Sequence, residues 1–390
     1  MATYTSEKIL RIAKRFNNQK RTYLFVNPLQ AKHIPVSPRD SLGMMKALGY
    51  MLANKYPHTK LVIGFAETAT AIGAVVAESL SPKCVYIHTT REDVSGVVQW
   101  VRFKEEHSHA TEQNLAGDNL SAWISATDSV IFVDDEISTG KTMLNMIEQL
   151  KQKYPHLKNK RLVAASLLNR VAKEDEEKLA SAGIVCEYLL KLPQADYPSA
   201  VKNVSIHEAP VAVPIKIATR YQALFCENFD DPRKGIQISR YKHNCDEIAE
   251  TFVMQFFNKI KNGSSILILG TEECMYPALK LGAALEDCGQ NYCVSCHATT
   301  RSPIGVCADE NYPITSGYKI KSFYDFDRAT YIYNLCKYDV VVVVTDTSVR
   351  DFVALESLIG ALPNNKSLQI FYIQGGKNVW YAKAIESIPI

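Results

Sequence analysis

The strongest constraint on the fold of this chain is a regular alternation of short apolar segments with longer amphipathic segments. Apolar segments of strand length, separated by segments with helical periodicity, predict an α/β fold in which helices connect the strands of a mostly parallel sheet. In the first half, the predicted strands are Lys60–Gly64, Cys84–His88, Ser129–Val133 and Leu162–Leu167, and the predicted helices are Ser41–Lys55, Ala69–Ser79, Lys141–Tyr154 and Lys173–Ala182.

The pattern occurs twice along the chain. Each half carries, in the same order, a strand, a glycine, a glutamate three residues later, a helix, a second strand and the tripeptide Thr-Thr-Arg. The matching positions are Gly64 and Gly270, Glu67 and Glu273, and residues 89–91 and 299–301. This shared order favours an internal duplication over the alternative of two unrelated α/β domains with similar turns.

The domain boundaries follow from length and from a break in the pattern. A chain of 390 residues has the length of about two domains. Residues 205–233 contain several prolines and interrupt the alternation. We therefore predict a first domain at residues 1–208, a junction at 209–234 and a second domain at 235–390, each domain built on a Rossmann-like parallel sheet.

Charge and hydropathy exclude several classes of protein. The chain has 44 Lys and Arg against 41 Asp and Glu, and this small, evenly spread excess predicts no binding to nucleic acid or to a membrane surface. Its apolar runs are far shorter than the roughly 18 residues that a membrane-spanning helix needs. Residues 1–21 lack an apolar signal core and predict an amphipathic helix. We expect a cytoplasmic protein.

The ten cysteines are expected to be reduced thiols, because no export signal is evident. The segment Cys293-Val-Ser-Cys296-His297 matches the attachment signature of c-type haem. Residues 292–297 alternate like a buried strand, however, so we predict a structural strand there. No second Cys/His pair stands at the spacing of a zinc site.

The sharpest chemical signal is the segment 130–142, Val-Ile-Phe-Val-Asp-Asp-Glu-Ile-Ser-Thr-Gly-Lys-Thr. Its apolar strand ends in two carboxylates, Asp134 and Asp135, which can accept hydrogen bonds from vicinal sugar hydroxyls. The hydroxyl-rich turn that follows opens a helix, whose N-terminus favours a phosphate. The segment therefore predicts a site for a phosphorylated sugar; the alternative is an acidic turn with an ordinary helix cap. A Walker A loop is excluded because that motif needs glycine at position 135.

This segment resembles the phosphoribosyl pyrophosphate (PRPP) signature of the type I phosphoribosyltransferases, with Ser138 in place of a threonine. The resemblance implies that the first domain has that family's fold and that Asp134 and Asp135 hold the ribose hydroxyls. It implies that the 5′-phosphate is bound by the turn, Ser138, Thr139, Gly140, Lys141 and Thr142. It also implies that Mg²⁺ is held mainly through PRPP, with at most water-bridged contacts to the two aspartates and no direct protein ligand.

Two further parts of that family are expected in the first half. The turn after the first core strand is the expected pyrophosphate loop, with residues Ala66, Glu67, Thr68, Ala69 and Thr70. The long connection 89–128 is the expected mobile lid, and it contains the candidate catalytic residues Arg91, Glu105, Glu106, His107 and His109. Arg91 is expected to clamp pyrophosphate, and the His/Glu cluster is expected to close over it or to handle protons. The alternatives for that cluster are a solvated loop and a metal site.

Four segments narrow the match: FVNPLQAKHIPVSP, GFAETATAIG, HSHAT and ATTRSPI. Together they resemble a bacterial family in which a phosphoribosyltransferase domain precedes a TRSP domain, named for the tetrapeptide that stands here at 300–303. The resemblance implies an association with tellurite-resistance and stress-response gene clusters and a nucleotide-like product. The chain departs from the expected pattern at Ala31, where glycine is expected. Lys32 and His33 are candidates for base recognition, with residues 188–193 nearby.

The second half retains only part of the phosphate-sugar signature. Its equivalent strand ends in Thr345-Asp346-Thr347-Ser348, with one acid and no Gly-Lys-Thr, so this half is expected to have lost ordinary PRPP binding. Its candidate site residues are Gly270, Glu272, Glu273, Thr300, Arg301, Ser302 and Asp346, with a Tyr/Arg group at Tyr324, Arg328, Tyr331 and Tyr333. They form either a second ligand site or, at Glu272 and Arg301, a structural ion pair.

The resemblance therefore predicts an Mg²⁺-dependent phosphoribosyltransferase that transfers ribose 5-phosphate to or from a nitrogenous base, with release of pyrophosphate. The alternatives are a PRPP- or nucleotide-sensing regulator without turnover, and a bifunctional enzyme whose second domain modifies the product. The expected partners are PRPP and a base. The expected assembly is a homodimer or an internal pseudo-dimer of the two domains.

Overall fold

The computed structural model describes residues 3–19, 21–104, 112–224, 226–227, 229–347, 352–363 and 367–384. In these ranges the strands are β1 Arg11–Lys14, β2 Tyr23–Val26, β3 Leu61–Gly64, β4 Val85–His88, β5 Trp100–Lys104, β6 Glu112–Ala116, β7 Ser129–Ile137, β8 Arg161–Asn169, β9 Ile184–Lys191, β10 Ile217–Ala223, β11 Ile236–Gln237, β12 Ser265–Gly270, β13 Cys293–Ala298, β14 Gly317–Lys321, β15 Ala329–Tyr333, β16 Val340–Thr345, β17 Gln369–Gln374 and β18 Asn378–Ala384. The α-helices are α1 Ser6–Ile9, α2 Pro38–Lys55, α3 Thr70–Leu80, α4 Leu120–Ser125, α5 Lys141–Lys153, α6 Lys173–Ser181, α7 Tyr197–Lys202, α8 Ile238–Phe256, α9 Tyr276–Asp287 and α10 Val353–Ala361, and short 3-10 helices cover Pro155–Asn159, Pro232–Lys234 and Phe257–Lys259.

The chain folds into two compact units, each assembled from separated segments. The first unit comprises residues 1–6, 42–195 and 230–243, and the second comprises residues 7–41, 196–229 and 244–390. Both are α/β units, and each contains one six-stranded, mostly parallel sheet.

These units differ from the predicted domains: residues 7–41 and 196–208 of the predicted first domain lie in the second unit, and residues 235–243 of the predicted second domain lie in the first unit. Residues 7–41 belong to the second unit, because Ala13 and Val26 of β1 and β2 are buried in one cluster with Ala209 and Val306. The predicted junction 209–234 is not a plain linker, since it supplies β10 to the second sheet. The differences arise because the order of residues along the chain does not indicate in which core an apolar segment is buried.

The first sheet has the strand order β11-β4-β3-β7-β8-β9, with β11 antiparallel at the edge and the remaining strands parallel. Leu61, Ile63 and Phe132 of the central strands pack in one buried cluster with Met146 and Ile147 of α5. The strands and helices predicted in the first half are confirmed with bounds shifted by a few residues, and β7 runs on to Ile137 because it continues to pair with β8.

The second sheet has the order β10-β18-β17-β16-β12-β13, in which the four strands from β17 to β13 are parallel and the two at the other edge are antiparallel. Its parallel part repeats the order β4-β3-β7-β8 of the first sheet. Each unit also has a two-stranded hairpin after the strand that Thr-Thr-Arg follows, formed by β5 and β6 in the first unit and by β14 and β15 in the second. The repeated order supports the interpretation of one fold used twice.

One prediction about the N-terminus is wrong. The described residues 3–19 do not form an amphipathic helix: α1 has only four residues, and β1 then pairs antiparallel with β2. The apolar residues of β2 offer a buried strand partner, and tertiary pairing outweighs the weak helical periodicity of so short a segment.

The cysteines, the haem-like segment and the lengths of the helices were also subjects of prediction. All ten cysteines lie in the described ranges and are free thiols. The haem-like segment forms β13, in which Cys296 and His297 are buried, so the predicted structural strand is confirmed. Among the described helices, none has the length and the apolar character required to span a bilayer.

Candidate functional site

The carboxyl ends of β3 and β7 bring two of the predicted loops together. The chain leaves β3 toward β4 on one side and later returns to β7 on the other, which makes the gap between β3 and β7 the topological switch point of the sheet. Thr68 Oγ1, in the loop after β3, donates a hydrogen bond of 2.8 Å to Asp135 Oδ1 at the end of β7. Asp134 Oδ1 accepts from the backbone N of Asp135 at 2.9 Å. Both carboxylates are half-buried at this edge.

The turn after the two aspartates ends at the N-terminus of α5. Gly140 caps this helix with φ +72°, a left-handed conformation that favours glycine, and a Cβ at this position would lie 2.7 Å from Leu179 Cδ1. The first turn of α5 carries no acidic residue. The positive end of the helix dipole favours a phosphate, and residues 138–142 stay the predicted phosphate site.

The loop after β3 is held by side chains that sequence reasoning missed. The backbone N of Ala66 donates to Thr89 Oγ1 at 2.8 Å, and the carbonyl O of Ala66 accepts from Gln113 Nε2 at 2.8 Å. The Thr89 hydroxyl also donates to Gln113 Oε1, and both side chains are buried. Ala66 is joined to Glu67, which is itself buried, by a cis peptide bond. Comparison of the two Thr-Thr-Arg copies would have indicated Thr89, whereas no local pattern indicates Gln113.

Arg91 follows a residue that is tied to the hairpin of the first unit. The backbone of Thr90 exchanges hydrogen bonds of 2.8 and 2.9 Å with the backbone of Asn114 on β6. Arg91 is half-buried at this junction. The other candidate catalytic residues of the predicted lid, Glu105, Glu106, His107 and His109, lie outside the described residues, and their role stays a prediction.

A second polar group, also missed, lies at the ends of β7 and β8. Arg170 Nε donates to Glu136 Oε1 at 3.1 Å. Asn169 is buried, and its Oδ1 accepts from Lys191 Nζ at 2.9 Å. These groups stand on the same edge of the sheet as Asp134, since they follow the carboxyl ends of parallel strands.

Lys32 and His33, predicted to recognise the base, belong to the second unit. The ammonium of Lys32 is fully buried and donates to the carbonyl oxygens of Glu272 and Thr299, both at 2.9 Å. His33, the next residue in sequence, is also buried. A role of either residue in base recognition stays a prediction.

The second-unit candidates converge around a buried carboxylate. Glu272 Oε2 accepts from Arg301 Nε at 2.7 Å and from Arg328 Nη2 at 2.9 Å, and its Oε1 accepts from Ser322 Oγ at 2.5 Å. Glu273 is buried, with Oε1 3.8 Å from Arg301 Nη2. The ion pair between Glu272 and Arg301, one of the two predicted alternatives, is therefore present.

The other second-unit candidates have structural contacts of their own. A Cβ on Gly270 would lie 2.4 Å from the carbonyl oxygen of Cys274, so only glycine fits at the end of β12. Thr300 Oγ1 accepts from the backbone N of Ser302 at 3.2 Å. Asp346 Oδ1 accepts from the Tyr324 hydroxyl at 2.5 Å. Of the predicted tyrosines, Tyr331 and Tyr333 stack with ring centroids 6.1 Å apart.

No set of three or more His, Cys, Asp and Glu side chains suited to bind a metal occurs within the described part of the chain. The donors at the first-unit site are the carboxylate oxygens of Asp134 and Asp135, and oxygen is the ligand atom that Mg²⁺ prefers. The residues present therefore fit a magnesium ion.

Comparison with protein families gives two matches. Residues 9–191 match the family described as phosphoribosyl transferase, and residues 230–362 match the family described as the TRSP domain that is C-terminal to it. No curated protein matches the chain.

Similar solved structures include three phosphoribosyltransferases. An APRTase from Giardia lamblia complexed with 9-deazaadenine is 17% identical, with a TM-score of 0.35, over 48% of this chain and 97% of that one. An adenine phosphoribosyltransferase from Trypanosoma brucei, in complex with AMP, pyrophosphate and ribose-5-phosphate, is 15% identical, with a TM-score of 0.34, over 47% of this chain and 77% of that one. An orotate phosphoribosyltransferase from Aeropyrum pernix is 20% identical, with a TM-score of 0.27, over 42% and 76%.

Proposed function

We propose a function from the premise that the chain belongs to the phosphoribosyltransferases and carries a TRSP domain after its transferase domain. Its first unit uses PRPP and Mg²⁺ to transfer ribose 5-phosphate to or from a nitrogenous base. Pyrophosphate is the leaving group in the synthetic direction. A nucleotide-like product in a stress response, which the family resemblance implies, and a cytoplasmic location, which the sequence predicts, are parts of the same proposal.

One observation carries the proposal: the hydrogen bond between Thr68 and Asp135 joins the loop after β3 to the carboxylates after β7. These two loops must bind opposite ends of one PRPP molecule, the pyrophosphate and the ribose. Their contact across the switch point brings both halves of the substrate site within reach of a small ligand.

Each described group then has a defined task. Asp134 and Asp135 accept hydrogen bonds from the ribose hydroxyls. The N-terminus of α5 binds the 5′-phosphate. The loop at residues 66–70 and Arg91 bind the pyrophosphate. Mg²⁺, when bound with PRPP, neutralises part of the pyrophosphate charge and so improves it as a leaving group.

The reaction exchanges one bond at the anomeric carbon. The bond from that carbon to the pyrophosphate oxygen breaks, and a bond to a nitrogen of the base forms, through a transition state with oxocarbenium character. Placement of the two reactants and exclusion of water supply the catalysis, because no covalent intermediate with the protein is required. Glu136 and Arg170 stand at the same sheet edge and are candidates for contact with the base.

The test is to incubate the protein with PRPP, Mg²⁺ and a panel of bases and to measure pyrophosphate and new nucleotides by mass spectrometry. Asp134→Asn combined with Asp135→Asn should abolish PRPP binding, because both hydroxyl-accepting carboxylates are lost. Asp128→Asn is the matched control, since its exposed carboxylate precedes the amino end of the same strand, and PRPP binding should persist.

Two results would contradict the proposal. Unchanged PRPP affinity in the double variant would refute the assignment of the two carboxylates. Tight PRPP binding without pyrophosphate release under any base would favour a sensing role over transfer.

A further inference from the structure

We propose that the second unit has its own ligand site, at the carboxyl ends of β12 and β16, and that this site binds an uncharged ribosyl compound. The site is separate from the transferase site of the first unit, and the proposal does not depend on transfer activity.

The location is the switch point of the second sheet. From β12 the chain passes through α9 to β13 on one side, and later it returns to β16 on the other side. Ligands of open α/β sheets bind in this gap. The Tyr324 hydroxyl stands across it, 3.1 Å from the carbonyl oxygen of Thr271 after β12 and 2.5 Å from Asp346 Oδ1 after β16.

The side chains that cover this gap come from one hairpin loop. The loop between β14 and β15 supplies Ser322, Tyr324 and Arg328, which contact residues that follow β12 and β16. This hairpin occupies the same place in the chain order as the hairpin of the first unit, which lies within the predicted lid at residues 89–128. In the second unit the loop at this place contacts residues on both sides of the gap.

Buried charge at this position is not needed by the fold. Glu272 is fully buried, whereas the matching residue of the first unit is Ala66. The match is fixed by backbone contacts: Ala66 N donates to Thr89 Oγ1 at 2.8 Å, and Glu272 N donates to Thr299 Oγ1 at 2.9 Å. A buried ion pair contributes little net stability, because desolvation offsets its attraction. Glu272 instead fixes the positions of Arg301 and Arg328 at the gap.

The formal charges around the gap and the sequence after Asp346 both favour an uncharged ligand. Among the described residues, the contacts above join three cations, Lys32, Arg301 and Arg328, and three carboxylates, Glu272, Glu273 and Asp346, and the formal charges of this set cancel. A neutral ligand matches a balanced site better than a phosphate does. The sequence after Asp346 also lacks the Gly-Lys-Thr turn that is the predicted phosphate site of the first unit.

Asp346 occupies the position that corresponds to Asp135. Backbone pairing fixes this correspondence, because Phe65 N donates to Val133 O and Thr271 N donates to Val344 O, two residues before each aspartate. The half-buried carboxylate of Asp346, with the hydroxyl of Tyr324, can accept hydrogen bonds from the vicinal hydroxyls of ribose. Free ribose and nucleosides share this chemistry, and the experiment separates them.

The test is calorimetric titration of the full chain that carries Asp134→Asn and Asp135→Asn, so that the first unit does not contribute. The probes are ribose, adenosine and cytidine, with ribose 5-phosphate and AMP as their phosphorylated counterparts. We expect one uncharged compound to bind with a stoichiometry of one and at least about tenfold more tightly than its phosphorylated counterpart.

Two single substitutions test the residues. Tyr324→Phe and Asp346→Asn should each weaken binding of that compound about tenfold, the loss expected when a hydrogen bond to a charged group is removed. Tyr318→Phe is the matched control, because it removes a hydroxyl from β14 of the same hairpin, and affinity should not change. Thermal unfolding of each variant shows whether it is folded.

Three results would overturn the proposal. The first is the absence of binding of any uncharged probe to a protein that unfolds cooperatively. The second is tighter binding of the phosphorylated counterparts. The third is unchanged affinity in folded Tyr324→Phe and Asp346→Asn proteins.

Discussion

At the scale of single residues, two buried side chains fix the backbone of the loop that is proposed to bind pyrophosphate. Thr89 and Gln113 hold the N–H and the carbonyl of Ala66, and they also contact each other. Buried hydrogen bonds of this kind are costly to break, because the remaining partner is left unsatisfied. They hold the loop through the backbone of Ala66.

The first prediction concerns this pair. Gln113→Met should raise the KM for PRPP about tenfold with a smaller effect on kcat, because a loop that is less well held binds substrate more weakly. Thr89→Val should act in the same direction. Steady-state kinetics measures both.

The second unit offers the control for this prediction. Thr299 Oγ1 accepts from the backbone N of Glu272 at 2.9 Å, at the same place in the repeated fold. Thr299→Val should therefore leave the kinetics of transfer unchanged. An equal rise in KM in all three variants would show that the effect is general destabilisation and not loop position.

The second prediction concerns His297 in β13. Burial lowers the pKa of this imidazole to about 4. The hydrogen bond with the backbone oxygen of Tyr333 acts in the opposite direction but is the smaller effect. Between pH 6.5 and 4 the unfolded chain binds a proton there and the folded chain does not, so stability falls as the pH drops through this window. The loss from this one group is on the order of 3 kcal/mol.

Denaturant unfolding across this pH range checks the second prediction. His297→Gln should be less stable than the wild type at pH 7 but should lose less stability between pH 6.5 and 4. His58→Gln, at an exposed position, should follow the wild-type curve. A His297→Gln protein with the full wild-type pH dependence would contradict the assignment.

At the scale of elements, the start of α5 decides how the predicted phosphate site is shaped. The turn reaches the helix through Gly140 in a left-handed conformation, pressed against Leu179 of α6. The helix begins at Lys141, and only residues 138–140 separate it from the end of β7 at Ile137. A single short turn joins the acidic strand end to the helix N-terminus, and this short connection underlies the proposal that both bind one ligand.

The third prediction tests this turn. Gly140→Ala adds both left-handed strain and a clash with Leu179, and it should weaken PRPP binding and lower stability by about 1–3 kcal/mol. Gly183→Ala is the matched control: φ is +75° there, yet nothing lies within 4 Å of the added Cβ. It carries the strain without the clash and should leave PRPP affinity unchanged. Equal affinities in the two variants would refute a role for the shape of the turn.

At the scale of the whole molecule, each unit is built from segments that are far apart in sequence. The second sheet takes its edge strand β10 from residues that precede the rest of the sheet, and β10 pairs with β18 along its whole length. The second unit also takes Lys32 from the N-terminal segment. A boundary drawn between consecutive residues therefore removes parts of one core.

The fourth prediction follows from this arrangement. A fragment of residues 235–390 should not unfold cooperatively, because it lacks β1, β2 and β10 and exposes the edge of β18. A fragment that begins at residue 196 contains β10. It should unfold more cooperatively than the shorter fragment, but at a lower temperature than the second unit in the full chain. Circular dichroism with thermal melts measures this order. Cooperative unfolding of the shorter fragment at the temperature of the full chain would contradict it.

The sequence by itself determined the elements and the local motifs of this protein. Apolar runs and helical periodicity predicted the strands and helices of the first half, and Asp134 and Asp135 were found because their neighbours in sequence form the rest of the motif. Matched spacing indicated the repeated fold. Apolar runs, helical periodicity and motifs depend on residues close together in sequence, so they can be read without knowledge of the core.

Only the tertiary structure decided which distant residues share a core or a site. Gln113 holds Ala66 across 47 residues of chain, and Lys32 reaches the carbonyl of Glu272 across 240. Burial of apolar surface brings such partners together, and this driving force has no direction and leaves no pattern in the sequence around either residue. For the same reason Lys32, which sequence order placed in the first domain, belongs to the second unit.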